Sequence, residues 1–436
     1  MSFRFVTLAF FTLASALISM ATPDLLIVGG GISGLSAAAE AARLGLRVTV
    51  VDRQSIYGGT AVIAYGVSIV GSPLQNQQGI KDYPELALQD FASWGGDPDS
   101  VWVQYYVEHS RAELFDWFTA RGVRYEKLLK PNGNSVARFH QPRDGVVSLV
   151  QALYREIHKL GGVEFLMNTD VTGLLLENGR VTGVKVRDYR SGRTQTLLAK
   201  NVLLSTGGFL NNPDLVRNFW PSHLGKAERI LLGSGLEATG SGLELARSAG
   251  GAIEHLDRQW NYSPGVPLQD GPTGTRGVYV NVVGPIWVNA QGRRFIDEEG
   301  DKRARLDALT RQTQAKAWMI FDVDSRGALE ITHPVFNAEP TKSALMSRPG
   351  MQFQADTLDE LAVKAGLPPA ALVATVTAYN QGLQSGLDEF GRSNRHGSKP
   401  IRTAPFFAVP IYPLTRKSMG GIRVDSSCRV LTEQGL

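Results

Sequence analysis

The chain has 436 residues, including 47 Gly, 21 Pro and a single Cys, a length that accommodates two or three domains with cores of their own. Hydrophobic residues at 43% and charged residues at 20% are ordinary globular values, which exclude a disordered chain, a collagen-like repeat or a coiled coil. The net charge is +4, yet the 45 Lys/Arg and 41 Asp/Glu are interspersed, so no basic block marks a nucleic-acid partner and the balance favours anionic ligands only mildly.

The chain opens with a lone charge at Arg4, an apolar run from Phe5 to Ile18 and the small-residue ending Ser19-Met20-Ala21. These are the three parts of a secretory signal, so residues 1–21 are expected to be a signal peptide cleaved near Ala21, and the protein to be exported to a periplasmic or secretory location. No apolar stretch in the mature chain nears the ~20 residues that cross a bilayer, so no membrane span is expected there.

Asp24 to Val28 reads as a short apolar strand, Leu35 to Leu44 as an Ala-rich helix and Arg47 to Val51 as a second strand ending at Asp52. That succession is a βαβ unit. Helices are expected around Pro84–Gly95, Ser100–Arg121 and Val146–Leu160, and strands at Glu164–Met167, Val171–Glu177, Val181–Asp188 and Asn201–Ser205. Asn178-Gly179 supplies the positive φ of a tight hairpin between two of them. From Asp257 to Arg416 the texture turns Pro-, Gly- and Thr-rich with fewer βα alternations, which points to an inserted second domain. The expected division is therefore 22–256, then an inserted cap at 257–416, then a return at 417–436. The fold class is α/β: a Rossmann-like dinucleotide-binding domain with a βαβ unit, carrying an inserted α+β capping domain.

Between the first strand and the helix stand Gly29, Gly31 and Gly34. Gly29 permits the turn, Gly31 lets backbone N–H groups reach a pyrophosphate, and Gly34 lets helix and strand pack closely. The helix N-terminus adds a favourable field for phosphate, and Asp52 is placed to accept hydrogen bonds from a ribose. Metal chemistry is not expected. Cys428 alone holds no Cys-based zinc or iron–sulfur site, and the seven histidines form no HxxxH or HExxH pair.

Further glycine segments follow at Gly58-Gly59-Thr60, Thr206-Gly207-Gly208-Phe209 and Thr239-Gly240-Ser241-Gly242. At these residues, and at Gly284 to Phe295 and Met419 to Ile422, the sequence resembles the flavoprotein family of fumarate reductase and succinate dehydrogenase, which also contains tricarballylate dehydrogenase and 3-ketosteroid dehydrogenases. The match is spread over most of the chain and is nearest the tricarballylate- and ketosteroid-dehydrogenase branches. The resemblance implies an FAD cofactor, held by Gly29, Gly31, Ser33, Gly34, Asp52, Arg53, Gly58, Gly59, Thr60, Val171, Thr206, Gly207, Gly208, Thr239 and Gly240. It implies noncovalent FAD, because residues Gln54 to Tyr65 contain no histidine for a covalent link.

In that family a substrate sits between cap and flavin, hydride passes at flavin N5 and an arginine delivers a proton. The stretch Phe295 to Arg303 resembles the segment carrying that arginine, which makes Arg303 the expected donor and Lys302 the alternative. Read from charge alone, the same stretch is a solvated helix face. The His-Thr-Met-Gly-Gly of fumarate reductases is replaced here by Arg416-Lys417-Ser418-Met419-Gly420-Gly421, and Arg276 fits a family arginine by order; Arg416, Lys417 and Arg276 are expected to clamp an anion. The family's Thr-Glu relay has no counterpart near Thr273, so a true fumarate reductase is not expected. Tyr262 and Tyr279 are alternative acid/base groups or packing residues, and His140 is either near the flavin or in a surface loop.

The expected function is an FAD-dependent oxidoreductase acting on a C–C bond next to a carboxylate or ketone, with a small-molecule substrate and an unidentified electron donor or acceptor. Family members continue past this point with a Gly-rich strand and helix. The alternative is therefore a fragment or a noncatalytic flavin-domain protein of the same fold.

Overall fold

The computed structural model describes residues 22–95, 100–131, 133–268, 275–333, 336–392 and 398–435. The expected signal segment, residues 1–21, and Thr273 lie outside them. Among the described residues no helix is long and apolar enough to cross a membrane.

The expected βαβ unit is present: β1 is Leu25–Val28, α1 is Ile32–Arg43 and β2 is Val48–Val51. α1 lies close on the sheet because the residues it buries are mostly small, namely Gly34, Ala38, Ala39, Ala41 and Ala42 around Leu35. Four parallel strands form the sheet, in the order Val202–Leu204, β1, β2, Val163–Leu166. Leu26, Ile27 and Leu35 are fully buried, each worth roughly 1.5–3 kcal/mol of transfer free energy.

An antiparallel three-stranded layer follows, Thr169–Glu177, Arg180–Asp188 and Thr194–Leu198. Its first turn places both Asn178 (φ 51°) and Gly179 (φ 77°) in the left-handed region, as the Asn-Gly pair required. The expected helix over Ser100–Arg121 is instead α-helical to Ser110, widens into a π-helical turn at Arg111–Asp116 and closes at Trp117–Thr119.

The second half of the chain is organised by one long strand, Phe406–Ser418. It is the spine of an eight-stranded sheet ordered Ile286–Val288, Ala317–Asp322, Phe406–Ser418, Gln259–Pro267, Gly277–Asn281, Glu330–Ile331, with Leu231–Leu232 and Phe353–Ala355 also paired to the spine. Two apolar cores cover its faces, one around Trp287, Phe321 and Phe407 and one around Trp318, Leu372 and Tyr379. The far end of the spine reaches the first half of the molecule. Ser418 Oγ occupies the place a Cβ on Gly208 would need, 2.1 Å away, so this glycine admits the strand end. Gly421–Ile422 then pairs with Ile253–Glu254.

Candidate active site and cofactor cleft

The turn from β1 into α1 is built as a cradle. Gly29 is at φ 107°, and a Cβ on Gly34 would lie 2.0 Å from the Gly29 carbonyl oxygen, so neither position accepts a side chain. Gly31 differs: a Cβ there meets nothing within 4 Å, so its Cα faces open space. Gly31 is the N-cap of α1 and makes no side-chain capping bond, which leaves the first-turn N–H groups aimed outward. The second glycine segment closes against the first, with Gly58 N–H donating to Gly30 O at 2.8 Å.

Asp52 ends β2 beside this cradle. Its Oδ2 accepts from Gly30 N–H at 2.6 Å and its Oδ1 from Gln54 N–H at 2.8 Å, which orients the carboxylate and leaves lone pairs for a ribose. An open cleft of about 400 Å³ extends from here, lined by Gly29, Asp52, Arg53, Val171, Thr206 and Ser241 among others. Arg53 is held in its wall by Asp170 at 3.1 Å, Glu237 at 3.5 Å and Thr239 Oγ1 at 3.2 Å. Its charge is balanced there, so Arg53 shapes the adenosine end and offers no site for an extra phosphate. Gly240 adopts φ 81° and starts the helix Ser241–Ser248, again with no side-chain cap. Two uncapped helix starts, an open glycine and an oriented carboxylate fit an FAD pyrophosphate and ribose.

A second constellation lies where the spine meets the strands beside it. Tyr262 pairs with Leu414 across the Gln259–Pro267 and Phe406–Ser418 strands, and Arg416, two residues on from Leu414, shares its face. Tyr262 and Tyr279 meet edge to face, their ring centroids 6.0 Å apart. Arg276 precedes the strand Gly277–Asn281, and its backbone C=O accepts from Leu268 N–H at 2.9 Å. The Arg276 and Arg416 guanidinium pKa values are lowered, first by burial; the positive charge of Arg416 adds to the lowering at Arg276, while Tyr262 and Tyr65 oppose it at Arg416. His333, which follows the short strand Glu330–Ile331, is pushed down by burial and then by both arginines. Among the described residues, neither arginine is ion-paired with an Asp or Glu, and no carboxylate contributes to either shift.

Of the expected catalytic residues, the structure unites Arg276 and Arg416 and places Lys417 at the rim, exposed over Trp260 with Nζ 5.2 Å from the ring centroid. Arg303 does not join them. Asp301 caps the helix Lys302–Thr310, accepting from Arg303 N–H at 2.8 Å and Ala304 N–H at 3.1 Å, and the ~100° between successive residues turns Lys302 and Arg303 in different directions. Lys302 goes inward with Arg305, one helical turn on, and its ammonium is pushed down by burial and then by the Arg305 charge. Arg303 goes outward and is 62% exposed, over Trp94.

Arg305 is 7% exposed; its Nη1 donates to Glu298 O at 2.6 Å, and it reaches the phenol of Tyr279, whose pKa burial raises and Arg305 partly restores. Arg305 Nε has no partner. Lys302, Arg305, Tyr279, Tyr262 and Arg416 thus form a continuous series.

His140 is fully enclosed, away from any open surface. Its Nε2 is 2.6 Å from Ser72 Oγ and its Nδ1 2.7 Å from Arg138 O. His333, Arg305 and Asn211, which accepts a hydrogen bond from Arg276 Nη1, are the residues that sequence reasoning missed. None lies in a recognisable motif. Only the proximity of Asn211 to Thr206-Gly207-Gly208 was a signal.

Comparison with known proteins agrees with this architecture. The family model described as FAD binding domain matches residues 24–436. The chain is similar to a fumarate reductase (cytochrome) of Shewanella frigidimarina, 30% identical over 418 residues that cover 94% of this chain and 69% of the relative. It is also similar to a KsdD-like steroid dehydrogenase of Mycolicibacterium smegmatis, 27% identical over 500 residues that cover 95% of this chain and 91% of the relative. Among solved structures, the open conformation of a flavocytochrome c3 fumarate reductase superposes with a TM-score of 0.77 at 25% identity, covering 95% of this chain and 71% of that one.

Proposed function

The chain belongs to the FAD binding domain family and is an FAD-dependent oxidoreductase, and from that premise we propose that it reduces or forms a C–C double bond next to a carboxylate. The observation that carries the choice of a carboxylate over a neutral ketone is the Arg276–Arg416 pair. Burial lowers the proton affinity of both half-buried guanidinium groups, the charge of Arg416 adds to the lowering at Arg276, and among the described residues no acidic side chain neutralises either. Such a pair is costly unless an anion arrives to share it. A bidentate substrate carboxylate satisfies it geometrically and electrostatically.

Bound FAD supplies the hydride chemistry at the double bond. Arg276, Arg416 and His333 hold the carboxylate and stabilise negative charge developing on its oxygens as the adjacent carbon changes hybridisation. Lys302 Nζ holds the proton for that carbon. Burial and the Arg305 charge both weaken its hold, which makes it a better acid than a solvated lysine. Tyr279, kept protonated by burial, accepts a hydrogen bond from Arg305 in the same series. Arg303 takes no part.

The test is steady-state turnover of the FAD-loaded protein on fumarate and related unsaturated carboxylates with reduced methyl viologen, beside 3-ketosteroids with an artificial acceptor. Turnover of a carboxylate that falls by at least about 10²-fold in Arg416→Gln supports the reading. Turnover of ketosteroids alone would sink it. No turnover of either class would leave the noncatalytic reading of the fold in its place.

A further inference from the structure

We propose that Asn211 is a positioning residue that aims Arg276 at the substrate while leaving its charge unspent. The inference rests on the carboxylate reading above. Asn211 stands just beyond Thr206-Gly207-Gly208, whereas Arg276 immediately precedes the strand Gly277–Asn281 of the eight-stranded sheet. The two meet through one hydrogen bond, from Arg276 Nη1 to Asn211 Oδ1.

The direction of the amide is settled by its other contacts. The Asn211 backbone N–H donates to Ala238 O at 2.8 Å, and its Nδ2 donates to Leu236 O at 2.5 Å. With the NH2 group committed to a carbonyl, the oxygen alone is left to face the guanidinium. The neighbouring Asn212 has a different task. Its Oδ1 accepts from Asp214 N–H at 3.1 Å and Leu215 N–H at 3.2 Å and caps the helix Pro213–Asn218, so capping does not explain Asn211.

The chemistry of the acceptor is the informative part. Several arginines elsewhere in the protein are held by carboxylates, Arg294 by Glu298 and Asp388, Arg138 by Asp82 and Asp90, Arg53 by Asp170 and Glu237, while Arg305, Arg217 and Arg348 donate to backbone carbonyls. Arg276 is held by a neutral amide. A carboxylate at position 211 would fix the same guanidinium more firmly, but would cancel the charge that an anionic substrate needs. An amide dipole fixes its direction and cancels nothing.

This predicts a different outcome from a merely structural role. FAD-loaded wild type, Asn211→Ala and Asn211→Asp are titrated with malonate and fumarate by calorimetry, and each variant is melted without ligand as a folding control. If Asn211 positions an unspent charge, the aspartate variant binds both anions about tenfold or more weaker than wild type and weaker than the alanine variant. Aspartate, like alanine, loses the Nδ2 donor to Leu236 O, so a structural role weakens binding only in step with the melting temperature; a binding loss that follows the melts, or alanine weaker than or equal to aspartate, overturns the proposal. Should the aspartate variant not fold, Asn211→Gln and Asn211→Glu form a second isosteric pair, with the glutamate variant expected to bind about tenfold weaker than the glutamine variant and equal affinities overturning the proposal. Arg276→Gln and Arg416→Gln run beside them. If these two bind malonate as wild type does, the carboxylate reading itself falls; if they weaken it and Asn211→Asp does not, only the role of Asn211 falls.

Discussion

The guanidinium carbon of Arg303 lies 3.7 Å from the centroid of the Trp94 ring, joining the helix Lys302–Thr310 to the end of the helix Pro84–Trp94. Arg303 Nη1 also donates to the Trp94 carbonyl at 3.4 Å. A cation–π contact at an exposed site is worth about 0.5–1 kcal/mol, and that is the role the structure leaves to this arginine.

Arg303→Ala is therefore expected to lower stability by no more than about 1 kcal/mol and to keep kcat within about threefold of wild type. Lys302→Met, at the buried neighbour, is expected to lose at least about 10²-fold in kcat with a smaller change in anion affinity. Chemical denaturation and steady-state kinetics on the two variants separate the roles, and a large kcat loss in Arg303→Ala would reverse the assignment.

Glu298 carries a heavier structural duty. Its carboxylate accepts from Arg294 Nε at 2.9 Å and Nη2 at 2.7 Å, from Arg392 Nη1 at 2.7 Å and from Trp287 N–H at 2.7 Å, all in the interior. Removing it leaves two buried guanidinium groups without their shared partner. Glu298→Ala is expected to cost about 3–5 kcal/mol, against a smaller loss for Glu298→Gln, which keeps an acceptor oxygen. Urea midpoints measure the order, and equal midpoints for wild type and Glu298→Ala would refute it.

How far these roles could be read beforehand depended on range. The βαβ unit, its glycines and the Asn178-Gly179 hairpin are local: a few consecutive residues set each backbone conformation, and the structure has them where the sequence placed them. The segment around Glu298 was legible as a segment, but nothing in its resemblance signalled that Glu298 itself holds Arg294 and Arg392. The choice between Lys302 and Arg303 turned on one residue of helical rotation, which no charge pattern over a wholly charged stretch resolves. The eight-stranded sheet was the least legible part. Its spine at Phe406–Ser418 pairs with Gln259–Pro267 and Ala317–Asp322, so its register is set by packing between distant segments. His333 and Asn211 were invisible for the same reason, since contacts between distant segments, Val280 with Ile331 and Thr415 with Leu210, bring them to this region.

His140 gives a pH dependence with a definite sign. Burial pushes its pKa below the usual 6.5, while its hydrogen bond to Arg138 O and the charge of Asp82 oppose the shift. The unfolded chain then binds a proton that the folded chain resists as pH falls through the window between the unfolded and folded values. Stability contributed by the neutral imidazole is full above about pH 6.5 and is lost as pH falls below it. His140→Gln should flatten that part of the stability profile in urea titrations run across pH 5–7.5; a slope unchanged by the substitution would place the dependence elsewhere.

The glycines of the cradle allow the cofactor site to be separated from the fold. Gly34→Ala drives a Cβ to 2.0 Å from the Gly29 carbonyl oxygen and 2.7 Å from Ser205 Oγ, so helix and strand must part and the protein should fold poorly with or without FAD. Gly31 is at φ −71° with nothing within 4 Å of a new Cβ, so Gly31→Val costs little in the apoprotein. Its side chain projects instead into the space where backbone N–H groups would meet a pyrophosphate. Gly31→Val should melt within a few degrees of the apo wild type, yet show no flavin absorbance after incubation with FAD and gel filtration. A yellow Gly31→Val protein would show that the pyrophosphate does not lie over this turn, and the assignment of the α1 N-terminus would have to be withdrawn. The comparison is informative only because the two substitutions are three residues apart in the same turn and fail for different reasons, one by packing and one by occupancy.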